Sequence, residues 1–224
     1  HPVTEAVTGR DLVADQLRIA AGQPLGVRQA AIESTGHAVE VRLYAEDAED
    51  GFLPATGRVV RLCWPTGDGI RVDAGIDEGD DVTDRFDPML AKIIAHGRDR
   101  AEALARLTGA LDRTVVLGLT TNLRFLRWLV REPVVVDGQT RTDTLDRIWP
   151  PDDWGGRVEV PGSAWAAAAE ALDAGGWRLN AAPRIRLAAD DGTERSIELD
   201  ASTAAGAIVV RDGVAHVDVD GRSV

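Results

Sequence analysis

Apolar and polar positions alternate with period two in residues 37–44. The side chains at 37, 39, 41 and 43 fall on one face and the others on the opposite face, because successive side chains point to opposite sides of a β-strand. The pattern predicts a half-buried strand with a charged outer face. Residues 58–64 and 70–74 are predicted to be two further strands, and we expect the three to form an antiparallel set. The apolar run Met89–Ala95, interrupted only by Lys92, predicts a buried strand.

Helical patterns flank these strands. Residues 8–22 are predicted to form one helix, opened by a capping box at Thr8–Asp11, with an apolar stripe that includes Val13 and Leu17. A second capping box at Asp99–Glu102 opens another amphipathic helix. A third helix is predicted through residues 123–130, and proline at position 133 prevents its continuation.

The composition changes after residue 148. Residues 149–162 begin with a Trp/Pro/Gly/Asp-rich stretch typical of a linker. An Ala-rich helix follows from Ser163, and then short alternating segments are separated by Asp-Gly pairs at 191–192, 212–213 and 220–221, which predict hairpins. The sequence therefore predicts an α+β fold: an antiparallel sheet with packed helices over residues 1–148, a linker over 149–162, and a helix with a partial antiparallel β-barrel over 163–224.

Composition and charge exclude several classes of protein. The 224 residues carry 25 Lys+Arg against 37 Asp+Glu, a net charge of −12, which argues against general binding to nucleic acids or anionic membranes. With one cysteine, Cys63, the chain has no disulfide framework and no thiolate zinc site. A reducing, cytoplasmic location is the simplest interpretation. The chain begins at His1 without a leader, and we expect it to be part of something longer.

Glu40 and Arg42 are the candidate functional pair. At i and i+2 of a strand they share one face, where the carboxylate can hold the guanidinium in a fixed orientation. A guanidinium oriented in this way suits the stabilisation of an oxyanion, enolate or carboxylate. The alternative is a plain ion pair of the kind that many sheets carry. Spacing alone leaves both interpretations open.

Other polar residues have simpler interpretations. Lys92 is the only lysine among the 25 basic residues; it is either a buried functional amine or, the interpretation we favour, a side chain that reaches solvent at a strand edge. Asp87 is a turn residue or a partner of an arginine. The acids at 46–50 lack a calcium-loop pattern and are expected in a solvated loop. The four histidines are far apart in sequence, and no metal site is predicted.

Eight short segments together resemble biotin carboxylase downstream of its catalytic loop. They match in the family's order and spacing over about residues 1–148, and are residues 1–5, 9–13, 16–25, 36–42, 45–47, 52–57, 86–92 and 118–122. The resemblance implies the alpha subunit of a biotin-dependent acyl-CoA carboxylase of the acetyl/propionyl-CoA type. In that family an ATP-grasp enzyme activates bicarbonate with ATP and magnesium and carboxylates biotin.

The resemblance also changes the interpretation of Arg42. The family arginine in the His-Ala-Val-Glu-x-Arg motif falls on this position, and it is expected to face the ureido oxygen of biotin and stabilise the enolate. This favours a catalytic, biotin-binding role for Arg42. We add that Glu40 supports it.

The resemblance further implies that important parts of the enzyme lie outside this chain. The bicarbonate arginine, the general-base glutamate, the metal-binding acids and the nucleotide-binding loop precede His1 in the family, and biotin sits on a separate carrier domain. The implied partners are that carrier, the carboxyltransferase beta subunit and the N-terminal ATP-grasp lobes. Residues 163–180 are similar to the entry of the domain that couples alpha and beta subunits. The alternative is a non-catalytic assembly module of a carboxylase complex.

Overall fold

The fold is seen in a computed structural model that describes residues 1–154, 162–172, 184–189, 193–198, 208–211, 214–219 and 222–223. Within these residues no helix has the length and apolar character needed to cross a membrane. The helices, in chain order α1 to α7, are Pro2–Thr8, Leu12–Ala20, Arg100–Arg113, Leu123–Leu129, Pro133–Val136, Thr144–Ile148 and Gly162–Leu172. The strands, in chain order β1 to β14, are His37–Tyr44, Glu46–Asp47, Leu53–Pro54, Gly57–Arg58, Arg61–Cys63, Ile70–Ala74, Asp81–Val82, Met89–Gly97, Val115–Leu117, Arg184–Ala188, Glu194–Glu198, Ile208–Arg211, Val214–Val219 and Arg222–Ser223.

The central sheet contains β1, β8 and β6, in that order, and both pairings are antiparallel. The predicted α+β fold is confirmed, as are the strands at 37–44 and from Met89. The expected set of three strands is wrong. Residues 58–64 form two short strands, β4 and β5, which pair with β7 and β9 instead. The most apolar strand, β8, takes the central position because both of its neighbours can then cover it.

The hydrophobic core lies on one face of this sheet. Alternate residues of β1 point into it, and Leu43 is fully buried. Ile93 and Ala95 of β8 are also fully buried, beneath Leu107 and Leu111 of α3. The predicted capping box begins α3, since the Asp99 side chain accepts a hydrogen bond from the Glu102 backbone N–H. The opposite face of the sheet, which α1 also contacts, carries polar side chains together with the buried Ala38 and Ile94.

The N-terminal helix differs from the prediction. Gly9, at φ +66°, ends α1, and Asp11 rather than Thr8 caps α2 by accepting from the Ala14 N–H. A single helix over 8–22 is therefore wrong. Val13 and Leu17 of the expected buried stripe are 61% and 67% exposed.

Asp15 explains which face of α2 turns inward. This carboxylate is buried, and it pairs with Arg10 and with Arg18. An aspartate in that position needs its cations close by, because an unpaired buried charge is costly. Asp15 and its ion pairs therefore occupy the inward face of α2, and the apolar stripe is left outside.

An aromatic cluster packs residues 149–154 against the domain formed by the residues before them. It contains Phe52, Phe125, Trp128, Trp149 and Trp154. Phe52 has a positive φ of 61° and meets Phe125 edge to face, with ring centroids 5.1 Å apart. The start of the expected linker is thus packed against α4. The rest of it, residues 155–161, lies outside the described residues.

The C-terminal strands pair as the Asp-Gly pairs predicted. β10 pairs with β11, and β12, β13 and β14 form an antiparallel meander. The Ala-rich helix α7 packs against β13. These C-terminal strands contact the first 154 residues. The Gly118 N–H donates to Ser223 Oγ at 2.8 Å, and Arg127 lies 3.8 Å from Asp218. The Asp-Gly turn residues themselves lie outside the described part of the chain.

Candidate functional site

The outer face of the central sheet carries the candidate site. We define the polar face as Glu40, Arg42, Tyr44, Arg71, Asp73 and Lys92. Arg42 lies directly opposite Lys92, which in turn lies opposite Asp73 on β6. Directly paired residues of antiparallel strands project from the same side of a sheet, so these side chains stand together. The polar face thus gathers charges from all three strands.

The structure places the predicted pair on this face. Arg42 Nε lies 3.6 Å from Glu40 Oε1, and the side chains are 58% and 16% exposed, respectively. The pKa of Arg42 is raised, first by a hydrogen bond with the Tyr44 side chain and then by the charge of Glu40. Glu40 contacts the guanidinium at Nε, the nitrogen nearest the backbone. The arginine therefore lies on the polar surface of the sheet and outside the apolar core.

Asn122 fixes the backbone that carries Arg42, a role that the sequence did not reveal. Its amide Oδ1 accepts from the Tyr44 N–H at 3.0 Å, and its Nδ2 donates to the Arg42 carbonyl at 3.2 Å. The register of β1 against β8 shifts between Leu43 and Tyr44, and such an irregularity leaves backbone groups without ladder partners. Asn122 is buried and supplies those partners.

The side chain of this asparagine does not cap the helix that follows it. Asn122 precedes α4, where an asparagine ordinarily caps the helix. Its side chain makes no capping hydrogen bond, because the amide is engaged by β1.

A second group of charges ties α1 to the polar face. Arg71 holds Asp73 through two hydrogen bonds of 2.7 Å and reaches Glu5 of α1 at 2.7 Å. The pKa of Glu5 is lowered by the hydrogen bond from Arg71 and by another from the Leu12 N–H. The pKa of Arg71 is raised by the same two carboxylates. Asp73 is therefore already occupied by an arginine.

Lys92 lies in the middle of the central strand. The expectation of a strand-edge lysine is wrong, because β8 has β1 on one side and β6 on the other.

Asp87, just before β8, accepts from the Met89 N–H at 2.8 Å, so it is a turn residue. Burial, and then the charge of Asp87, raises the pKa of Glu46.

The acidic segment after β1 is less solvated than expected. Glu49 forms an ion pair with Arg124, and both side chains are largely buried. The Arg124 guanidinium also lies 4.0 Å from the centroid of the Trp154 ring. Packing of the aromatic cluster draws this acid inward, so a fully solvated loop is wrong for Glu49. Within the described residues no group of three or more His, Cys, Asp or Glu side chains is placed to hold a metal.

Comparison with a family model gives a match over residues 40–147, to the biotin carboxylase C-terminal domain. The human mitochondrial propionyl-CoA carboxylase alpha chain is 44% identical over 152 residues, which is 67% of this chain and 21% of that protein. The biotin-dependent acyl-coenzyme A carboxylase alpha3 subunit of Mycobacterium leprae is 42% identical over 159 residues, 71% of this chain and 26% of that protein. The chain thus spans about a fifth to a quarter of these relatives.

Solved structures show the same relationship. The biotin carboxylase subunit of a pyruvate carboxylase matches with a TM-score of 0.64 and 37% identity, over 65% of this chain and 32% of that one. The biotin carboxylase domain of a thermophilic 2-oxoglutarate carboxylase, bound to bicarbonate, matches with a TM-score of 0.64 and 36% identity, over 65% of this chain and 33% of that one. Residues 40–147, which the family model matches, include the polar face.

Proposed function

Since this chain belongs to the biotin carboxylase C-terminal domain family through residues 40–147, we propose that it closes one side of the active site of a biotin-dependent acyl-CoA carboxylase alpha subunit. Its polar face meets the biotin of the carrier domain. The observation that carries the proposal is the position of Arg42, half-exposed on the outer face of the sheet and restrained by Glu40 and Asn122. ATP, magnesium and bicarbonate are bound by the N-terminal ATP-grasp lobes of the intact subunit.

The positive charge of Arg42 on the polar face suits a ligand such as the ureido ring of biotin, which is neutral when it binds and becomes negatively charged during the reaction. Biotin supplies a ureido ring whose nitrogen accepts the carboxyl group and whose oxygen takes up negative charge. Arg42 donates hydrogen bonds to that oxygen and stabilises its charge in the transition state. The guanidinium remains protonated throughout, so it acts through charge and orientation and does not transfer a proton. Glu40 limits the directions that the guanidinium can take.

A comparison of the chain with the intact subunit tests this proposal. Alone, the 224-residue chain is expected to show no biotin-dependent ATP hydrolysis, because its sequence has no glycine-rich phosphate-binding loop. The intact subunit, with the ATP-grasp lobes, is expected to hydrolyse ATP when biotin and bicarbonate are added. Release of phosphate measures both. Turnover by the chain alone would show that the residues that bind ATP lie within it, which would contradict the proposal.

Glu40→Gln provides a finer test. Glutamine keeps the size of the side chain but removes its charge, so Arg42 loses an ionic restraint at 3.6 Å. Because the pair is partly solvated, we expect a modest loss of carboxylation in the intact subunit, below about tenfold. Rates of biotin carboxylation at saturating ATP measure it. An unchanged rate would remove the supporting role of Glu40 while leaving that of Arg42.

The C-terminal unit has a separate proposed role. We propose that residues 163–224 form part of the domain that couples the alpha subunit to the carboxyltransferase beta subunit. The support is the helix α7 packed on antiparallel strands, together with the sequence resemblance around residues 163–180.

The free Cys63 suits a reducing compartment, and we propose that the protein is located in the cytoplasm.

A further inference from the structure

Lys92 has no role in the function proposed so far, although it faces the same surface as Arg42. It lies directly opposite Arg42 in the β1–β8 ladder. Like charges placed directly across two strands destabilise a sheet. In a structure selected for stability alone, a carboxylate would be expected between them or in place of one of them.

The carboxylate paired with Lys92 in the sheet, that of Asp73, is already bound by an arginine. Asp73 lies opposite Lys92 on β6, but both of its oxygens accept hydrogen bonds of 2.7 Å from Arg71. Arg71 is itself held by Glu5, which fixes this arrangement. Over the described part of the chain, Lys92 makes no ion pair or side-chain hydrogen bond. Its ammonium group therefore has no hydrogen-bonded partner among the described residues, and it belongs to the residue directly opposite Arg42.

The identity of the residue supports a specific need for an amine. The chain contains 25 basic residues, and Lys92 is the only lysine among them. A guanidinium at this position would present a planar fork that binds carboxylates through two hydrogen bonds, and it would compete with Arg71 for Asp73. An ammonium group is compact and leaves that pair intact. Lysine thus keeps a free positive charge where arginine would be neutralised.

We propose that Lys92 is a second cation of the site, a positioning residue that strengthens the field of Arg42 toward an oxygen carrying negative charge. The inference rests on the proposed function. Lys92 does not replace the hydrogen bonds of Arg42. Its charge, carried by the residue directly opposite Arg42 in the ladder, makes the surface in front of Arg42 more favourable for an oxyanion.

Kinetics of the intact subunit test this inference, with Lys92→Met as the main variant. Methionine keeps the length of the side chain and removes the charge. We expect kcat for biotin carboxylation to fall about tenfold, the order of effect of one unit charge on the same face of the sheet, acting through a partly aqueous medium. The KM for ATP is expected to be unchanged. Lys92→Arg is expected to recover only part of the rate, because its guanidinium is drawn to Asp73.

Thermal stability separates this role from a structural one. Removing one of two like charges should leave the melting temperature unchanged or raise it, whereas loss of a structural contact would lower it. Arg28→Met, which removes an exposed arginine from a loop outside the central sheet, is the control for loss of one positive charge and should keep the wild-type rate.

Three results would overturn the inference. They are a wild-type rate for Lys92→Met, a loss of rate matched by a lower melting temperature, and equal rates for Lys92→Arg and Lys92→Met. Arg42→Ala, assayed in parallel, distinguishes the two levels of the proposal. If Arg42→Ala loses activity and Lys92→Met does not, this inference fails and the proposed function stands. If Arg42→Ala keeps its activity, the proposed function itself fails.

Discussion

Arg42→Ala in the intact subunit is expected to lower the rate of biotin carboxylation by about a hundredfold or more. Removing one donor from a site that stabilises an oxyanion typically costs this much in kcat. Loss of stability cannot account for such a drop, because the side chain is 58% exposed and contacts Glu40 only at 3.6 Å. Exposed ion pairs contribute little to folding. Rates should therefore fall in a protein that melts at nearly the same temperature.

Two further variants make this test specific. Arg42→Lys keeps the charge but loses the planar set of donors, so we expect it to lie between wild type and Arg42→Ala. Arg28→Met removes a positive charge from an exposed loop position and should behave as wild type. If Arg42→Ala retained the wild-type rate, Arg42 would have no part in catalysis. The ion pair with Glu40 would then be an ordinary feature of the sheet surface.

Asn122→Leu is expected to have the largest effect on folding. Leucine matches asparagine closely in shape but cannot bond to the Tyr44 N–H or to the Arg42 carbonyl, which lie 3.0 and 3.2 Å from the amide. Leaving a buried backbone group without a partner costs about 1–3 kcal/mol. We therefore expect the free energy of unfolding to fall by about 1–3 kcal/mol or more. Denaturant titration of the 224-residue chain measures it.

Asn122→Asp is the matched control for this change. Aspartate keeps an oxygen that accepts from the Tyr44 N–H but has no donor for the Arg42 carbonyl. Its ionised carboxylate would be buried beside the Arg42 carbonyl, and an unpaired buried charge is costly, so at neutral pH its loss of stability should be at least as large as that of Asn122→Leu. That loss should shrink at low pH, where the protonated carboxyl can donate to the carbonyl, whereas the loss for Asn122→Leu should not. In the intact subunit, both variants should also lower kcat under conditions in which they remain folded, because the strand that carries Arg42 is no longer held. Wild-type stability of Asn122→Leu would show that the asparagine does not restrain β1.

Local pattern was sufficient to predict the elements that bear the site. The period-two alternation of residues 37–44 gave β1 and placed Glu40 and Arg42 on one face, as the structure shows. The apolar run from Met89 gave β8, which is buried as expected. The capping residue Asp99 gave the start of α3. In each case the determining interactions are local to one strand or one helix turn, so the sequence alone contains them.

Long-range pairing determined what the sequence could not show. Whether 58–64 or 89–97 lies beside β1 depends on which strand the core can cover from both sides, and the sequence-based choice was wrong. Asn122 reaches β1 across 78 residues of chain. Lys92 was assigned to an edge because its neighbours in space were unknown. The predicted apolar stripe of α2 was wrong for a local reason instead, because Asp15, paired with Arg10 and Arg18, occupies the inward face.

A structure of the intact subunit with biotin bound would give the distance from the Arg42 guanidinium to the ureido oxygen of biotin, on which the proposed role of Arg42 depends. We expect a hydrogen bond of about 2.7–3.2 Å between an Arg42 nitrogen and that oxygen, with Glu40 still beside Nε. A biotin ring bound elsewhere, with Arg42 turned to bulk water and more than about 6 Å from the ureido oxygen, would contradict it, because at that distance no hydrogen bond exists.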